Sequence, residues 1–172
     1  MLKLILSFFL SLLTICYSRV PPDQADARLK ECCNDTEKIR MKPQCRYLCD
    51  KNRPQYSFIC NFASCVNDLQ RWMYCSADAP KPNSENKQCC VEQQVPGICH
   101  QYCEGRAPSA RNLLKTTACV WYAEKILFCH RMGQRRDVER WKQRTPQFRP
   151  DEKVPEKVKR IINGYAELYC KN

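Results

Sequence analysis

The sequence predicts a small, disulfide-rich all-α protein: two pseudo-repeated helical cysteine units followed by a C-terminal helix. Three observations predict it. Thirteen of the fifteen cysteines lie between Cys32 and Cys129, and all of these but Cys60 fall into a pattern that occurs twice. The first copy reads Cys32-Cys33, then Cys45 and Cys49 as CxxxC, then Cys65 and Cys75 as Cx9C. The second reads Cys89-Cys90, then Cys99 and Cys103, then Cys119 and Cys129. From the CxxxC pair onward every matched cysteine lies 54 positions further on; only the gap after CC differs, eleven residues against eight. Second, apolar residues between the Cx9C cysteines recur three and four apart, the spacing of one helix face. Third, glycine is scarce, at four residues, which disfavours the turn-heavy β scaffolds of many small secreted domains.

Taken in order, residues 1–18 read as a secretory signal peptide. Lys3 supplies a short basic start, Leu4 to Ile15 an apolar run, and Cys16 and Ser18 small residues at the −3 and −1 positions, with cleavage expected after Ser18. The run is shorter than the ~20 residues of a membrane span, and no later stretch is apolar enough to be one. Secretion makes the cysteine pattern coherent, because disulfides form and persist in an oxidising lumen. Cys16 departs with the leader, leaving fourteen cysteines, the even number that complete pairing requires. Residues 19–31 read as a flexible lead-in. Residues 32–133 form the cysteine module, with copies at 32–75 and 89–129.

Within the first copy, Phe62, Cys65, Val66, Leu69, Trp72 and Met73 define a helix face. In the second, Cys119, Tyr122, Ala123, Ile126 and Leu127 do the same, so each Cx9C pair is expected on one helix. Ten residues of α-helix separate two sulfurs by ~15 Å along the axis and leave them ~80° apart. A helical CxxxC pair places its thiols only ~6 Å apart on one face. The two separations do not match, and a disulfide needs Cα atoms within ~7 Å. The CC thiols, which point in different directions, must therefore take some of the partners. Six cysteines per copy allow fifteen connectivities, and the sequence does not choose among them. Each copy, near the ~40-residue size at which a core needs help, relies on these staples.

The polar stretch 76–88 reads as the loop joining the copies, residues 104–109 as a second loop, and Gly133 as the C′ residue ending the last module helix. Residues 134–172 are a basic linker and a C-terminal helix. Pro155 suits the first helical position, and Val158, Ile161, Ile162, Tyr165, Leu168 and Tyr169 form its apolar stripe, with Gly164 inside it. Cys60 and Cys170 lie outside the duplicated pattern. With the other twelve cysteines matched six to six, mutual pairing of these two is the economical expectation.

For chemistry, only His100 and His130 are present as imidazoles. Each follows a cysteine directly, at non-equivalent positions, and neither lies in a hydrolase or metalloprotease motif. They read as surface residues, and the chain as a non-enzyme. Zinc is disfavoured, since the CxxC tetrad spacing is absent and the compartment is oxidising; no metal or cofactor is expected. The net charge of +11 becomes +10 when Lys3 leaves, which suits anionic partners such as sulfated glycans; nucleic acid is excluded on compartment grounds. Between 131 and 160 the chain carries eleven basic and five acidic residues. Arg135, Arg136, Arg140, Lys142 and Arg144 are candidate anion-binding residues there, with Trp141 available for stacking. Asn34-Asp35-Thr36 is the chain's one N-glycosylation sequon.

The double pattern, with CC heading each half, CxxxC after it, and Val95-Pro96 before Cys99 and Cys103 in the second half, resembles the cysteine-rich DB module. The matching cysteines are Cys32, Cys33, Cys45, Cys49, Cys65, Cys75, Cys89, Cys90, Cys99, Cys103, Cys119 and Cys129. The resemblance covers Cys32 to about Gly133 and implies an extracellular module with six disulfides; it transfers no catalytic residue and does not reach Cys60, Cys170 or the basic tail. Secreted phospholipases A2, also helical and disulfide-rich, carry a catalytic His soon after CC. Here Asn34-Asp35-Thr36 and Val91-Glu92-Gln93 follow, so that activity is excluded. The functional expectation is a secreted, monomeric interaction module whose partner is an extracellular protein or a sulfated glycan. A protease inhibitor presenting Arg106 in its loop, or a toxin or antimicrobial effector, is the alternative.

Overall fold

The computed structural model describes residues 21–50, 64–78, 85–134, 140–143 and 154–170. The expected signal peptide and Cys60 lie outside these residues. Every regular element among them is helical. The α-helices are α1 (Pro22–Asn34), α2 (Leu69–Ser76), α3 (Glu85–Glu92), α4 (His100–Cys103), α5 (Ala110–Leu113), α6 (Ala123–Gly133), α7 (Arg140–Gln143) and α8 (Glu156–Cys170). Short 3-10 segments run Pro43–Cys49, Val66–Asp68, Gly97–Cys99 and Leu114–Tyr122. No helix among the described residues is long and apolar enough to cross a membrane.

The two halves are built alike. A CC helix, α1 or α3, packs against the CxxxC segment and against the helix that carries the last cysteine, α2 or α6. The disulfides follow one rule in both. The first cysteine of CC joins the last of Cx9C, as Cys32–Cys75 and Cys89–Cys129. The second joins the last of CxxxC, as Cys33–Cys49 and Cys90–Cys103. The remaining pair closes as Cys45–Cys65 and Cys99–Cys119. Adjacent helical residues point ~100° apart, so one CC dipeptide reaches two different elements. All six bonds span Cα–Cα distances between 5.4 and 6.4 Å. Taken singly, loops of 13 to 43 residues are worth about 3–4 kcal/mol each in the chain-entropy model; because the loops overlap, the values do not add.

The structure corrects several expectations. The lead-in is not flexible from Pro22 onward, because it is the first three turns of α1. Pro22 pre-sets the first helical φ. Ala25, Leu29, Cys32 and Cys33, at i, i+4, i+7 and i+8, form one buried face. The Cx9C segments are not single α-helices. Each passes through a 3-10 stretch before turning α at Leu69 or Ala123, positions 54 apart, like the cysteines. The joining loop is shorter than expected: Ser76 still belongs to α2, and α3 begins at Glu85, four residues before Cys89.

Gly133 is not a left-handed C′ residue. It is the last residue of α6, and extended Gln134 follows it. A Cβ at Gly133 would overlap Oδ1 of the buried Asn86 side chain on α3, so a larger residue there would have to displace that side chain. Pro155 lies one residue before α8, its carbonyl accepting from the N–H groups of Val158 and Lys159. On α8, Val158 and Ile162 are buried, while Ile161 and Gly164 face solvent. The helix runs unbroken to Cys170, whose side chain lies outside the description, as do those of Tyr165, Leu168 and Tyr169.

Candidate functional site

The seam between the halves is made by matched positions. His130 on α6 and Ser76 on α2 are 54 residues apart, and His130 Nδ1 lies 3.0 Å from Ser76 Oγ. His130 Nε2 faces two carbonyls, Tyr102 O at 2.9 Å and Cys103 O at 3.1 Å. Both are acceptors only, so Nε2 carries the proton, and the single Ser76 hydroxyl proton is shared between His130 Nδ1 and Met73 O, which lies 3.1 Å from Ser76 Oγ. Gln134 Nε2 donates to Ser76 O at 3.3 Å. The imidazole is fully buried, and burial pushes its pKa down to about 4, opposed by the two carbonyl contacts. The reading of His130 as a surface residue is therefore corrected. It is a neutral strut joining α6, α4 and α2, and a lone histidine outside any motif gave no warning of this. His100 is half-buried, its Nε2 within 2.9 Å of Val95 O.

Beside the strut lies a small apolar cleft, partly open to solvent. Leu69, Trp72 and Met73 line it from the first half, and Ala123 and Ile126 from the second. Its polar atoms are satisfied internally. The Tyr102 hydroxyl lies 2.9 Å from Thr116 Oγ1, which itself reaches Asn112 O and Leu113 O, each at 3.1 Å. Burial pushes Tyr102 up to about 12, against the effect of the Thr116 hydrogen bond. The phenol is therefore neutral at physiological pH, and the half-cystine Cys119 does not titrate. Among the described residues the lining is apolar apart from the hydroxyls of Tyr102, Thr116 and Thr117. Among the described residues no group of three or more His, Cys, Asp or Glu is placed to hold a metal ion.

The halves differ most on their surfaces. Val91, Ile98, Leu114, Trp121 and Phe128 are exposed large apolar side chains, and all belong to the second half. Trp121 is 47% and Phe128 44% exposed. The matched positions in the first half are Asn34, Gln44, Cys60, Asn67 and Tyr74, the last only 8% exposed. At the described matched positions, Asn34, Gln44, Asn67 and Tyr74, the first copy carries polar or covered side chains where the second carries open apolar ones. Spacing alone did not reveal this, because residues three and four apart occur on both faces of the 114–128 segment.

The candidate anion site is only partly visible. Arg135, Arg136 and Arg144 lie outside the described residues, and Arg140 begins α7 with its side chain undescribed. Lys142 is exposed but pairs with Glu31 of α1 at 2.8 Å, while its carbonyl accepts from Lys38 Nζ at 2.9 Å. Arg131 Nε meets Asp26 at 2.7 Å. Part of the basic excess is thus spent on acidic residues of α1. The Arg106 loop is also tied down: Arg106 pairs with Glu104, which is buried and lies 3.8 Å from Lys87 Nζ.

Asn34 ends α1 with an exposed side chain, and Thr36 is exposed in the following turn. Between them, Asp35 Oδ1 accepts from the N–H groups of Glu37 at 3.0 Å and Lys38 at 2.8 Å.

These features define a small all-α module whose interior is a disulfide frame. The chain belongs to the DB module family, whose model matches residues 29–130, more than half of its length. The match starts inside α1 and ends at His130, so it takes in all twelve half-cystines of the two-copy frame and the strut between them. No curated protein and no solved structure matches the chain.

Proposed function

We propose that this protein is a secreted, non-catalytic interaction module that acts as a monomer and binds an extracellular partner protein through the apolar face of its second half. The carrying observation is the difference between the copies: Trp121, Phe128, Ile98 and Val91 are exposed where the first half is polar or covered. Exposed apolar groups of this kind mark contact surfaces. Twelve half-cystines in one repeated frame, eleven of them buried, fit the oxidising extracellular compartment, and residues 1–18 supply the route to it. Monomeric action is supported by the seam, where the chain already supplies both copies of the unit.

The test is capture from extracellular fluid with intact, oxidised protein as bait, and reduced protein as control. A Trp121→Ser/Phe128→Ser variant should lose the captured partner while keeping its circular dichroism spectrum. Equal capture by that variant would overturn the assignment of the face. A second reading, binding of sulfated glycans by the tail, is favoured by the eleven basic against five acidic residues at 131–160.

A further inference from the structure

We propose that Asn34 carries an N-linked glycan, so that the first half is the glycan-bearing side of the protein and the second half its contact side. The inference rests on the secretory reading above, since the modification occurs in the lumen of the secretory pathway.

The chemistry requires an asparagine side-chain amide, a hydroxyl two residues later, and any residue but proline between. Asn34-Asp35-Thr36 supplies these. The sugar is added during chain entry, before the fold is complete, so the folded protein must accommodate it afterwards. It does. Asn34 is exposed at the last position of α1, and the chain turns into an extended Asp35 (φ −68°, ψ 101°) rather than continuing the helix. The Asn34 side chain makes no hydrogen bond or ion pair among the described residues, so a glycan there displaces nothing. Asp35 is committed to its own turn, and Thr36 is exposed. The neighbouring Cys33 is buried and joined to Cys49, which fixes the end of α1 and holds Asn34 at the protein's rim.

The internal duplication strengthens the point. The position matched to Asn34 in the second half is Val91, followed by Glu92 and Gln93, which form no sequon. Val91 is one of the exposed apolar residues, and among the described residues the first half, 32–75, exposes no large apolar side chain. A hydrophilic glycan at Asn34 would sit on the half whose described residues expose no large apolar side chain.

The experiment expresses the full chain in a eukaryotic secretory host and measures intact mass before and after peptide-N-glycosidase treatment. The inference expects a secreted species heavier than the polypeptide by one N-glycan, collapsing on treatment with conversion of Asn34 to Asp. Asn34→Gln and Thr36→Ala should secrete at the bare mass, and Thr36→Ser should keep the glycan. The first two variants remove no interaction and should fold as the parent does. A wild-type protein secreted at its bare polypeptide mass overturns this inference and leaves the secretory reading standing. A chain held in the cytosol overturns the secretory reading instead. In that case a second form, with a host leader ahead of residue 19, decides the site: glycan at Asn34 upholds it, and bare mass overturns it.

Discussion

Protonating His130 should loosen the seam between the halves. Its pKa falls from 6.5 to about 4 because burial disfavours the imidazolium. Above pH 6.5 the ring is neutral in folded and unfolded chains alike and adds no pH dependence. Between 6.5 and about 4 the unfolded chain binds a proton that the folded protein refuses, so stability falls as pH falls. Below about 4 both states are protonated and the decline from this group ends. A difference of two to three units corresponds to about 3 kcal/mol, a large share of a small domain's stability. The assay is urea unfolding of the oxidised protein across pH 4 to 7.5, alongside His130→Gln. The variant should be less stable at neutral pH, since Nε2 serves two carbonyls, but it should lack the His-specific slope. Carboxylates contribute equally to both proteins and cancel in the difference. Parallel pH profiles for the two proteins would refute the reasoning.

Three other outcomes follow from particular contacts. Gly133→Ala should cost about 1–3 kcal/mol in thermal or urea unfolding by overpacking against Asn86, and Asn86→Ala in the same chain should recover much of that loss, a coupling read from the double-mutant cycle. Trp72→Phe should destabilise by about 1–3 kcal/mol, because the buried Leu48 carbonyl loses the indole N–H it accepts at 3.0 Å; an unchanged melting temperature would show that water replaces it. Neutralising Arg135, Arg136, Arg140, Lys142 and Arg144 together should advance elution from a sulfated-glycan column and flatten its salt dependence; unchanged retention would remove the tail from that role.

What the sequence made legible, and what it hid, divides along physical lines. Cysteine positions are discrete, so the duplication and the need for CC to serve two partners can be read without structure. The all-α class follows from apolar spacing. Which helical form each stretch takes does not: spacings of three and four fit both 3.0 and 3.6 residues per turn over two turns, so the 3-10 stretches at Val66–Asp68 and Leu114–Tyr122 were hidden. Helix α1 was missed because its apolar face is formed by Ala25 and Leu29 together with the cysteines Cys32 and Cys33, which the repeat pattern had already absorbed. Gly133 was read as a terminator because its real constraint, the approach of Asn86, is tertiary. His130 carries no motif; its role exists only where α2, α4 and α6 meet.

The central claim is that two copies of one cysteine unit, each closed on itself, form the frame on which the rest is displayed. Non-reducing peptide mapping of the secreted protein tests it most directly. The account predicts Cys32–Cys75, Cys33–Cys49 and Cys45–Cys65 in the first half, and Cys89–Cys129, Cys90–Cys103 and Cys99–Cys119 in the second. It expects a Cys60 peptide joined only to Cys170. A peptide linking a patterned cysteine of one half to one of the other, or two halves that follow different pairing rules, would contradict it.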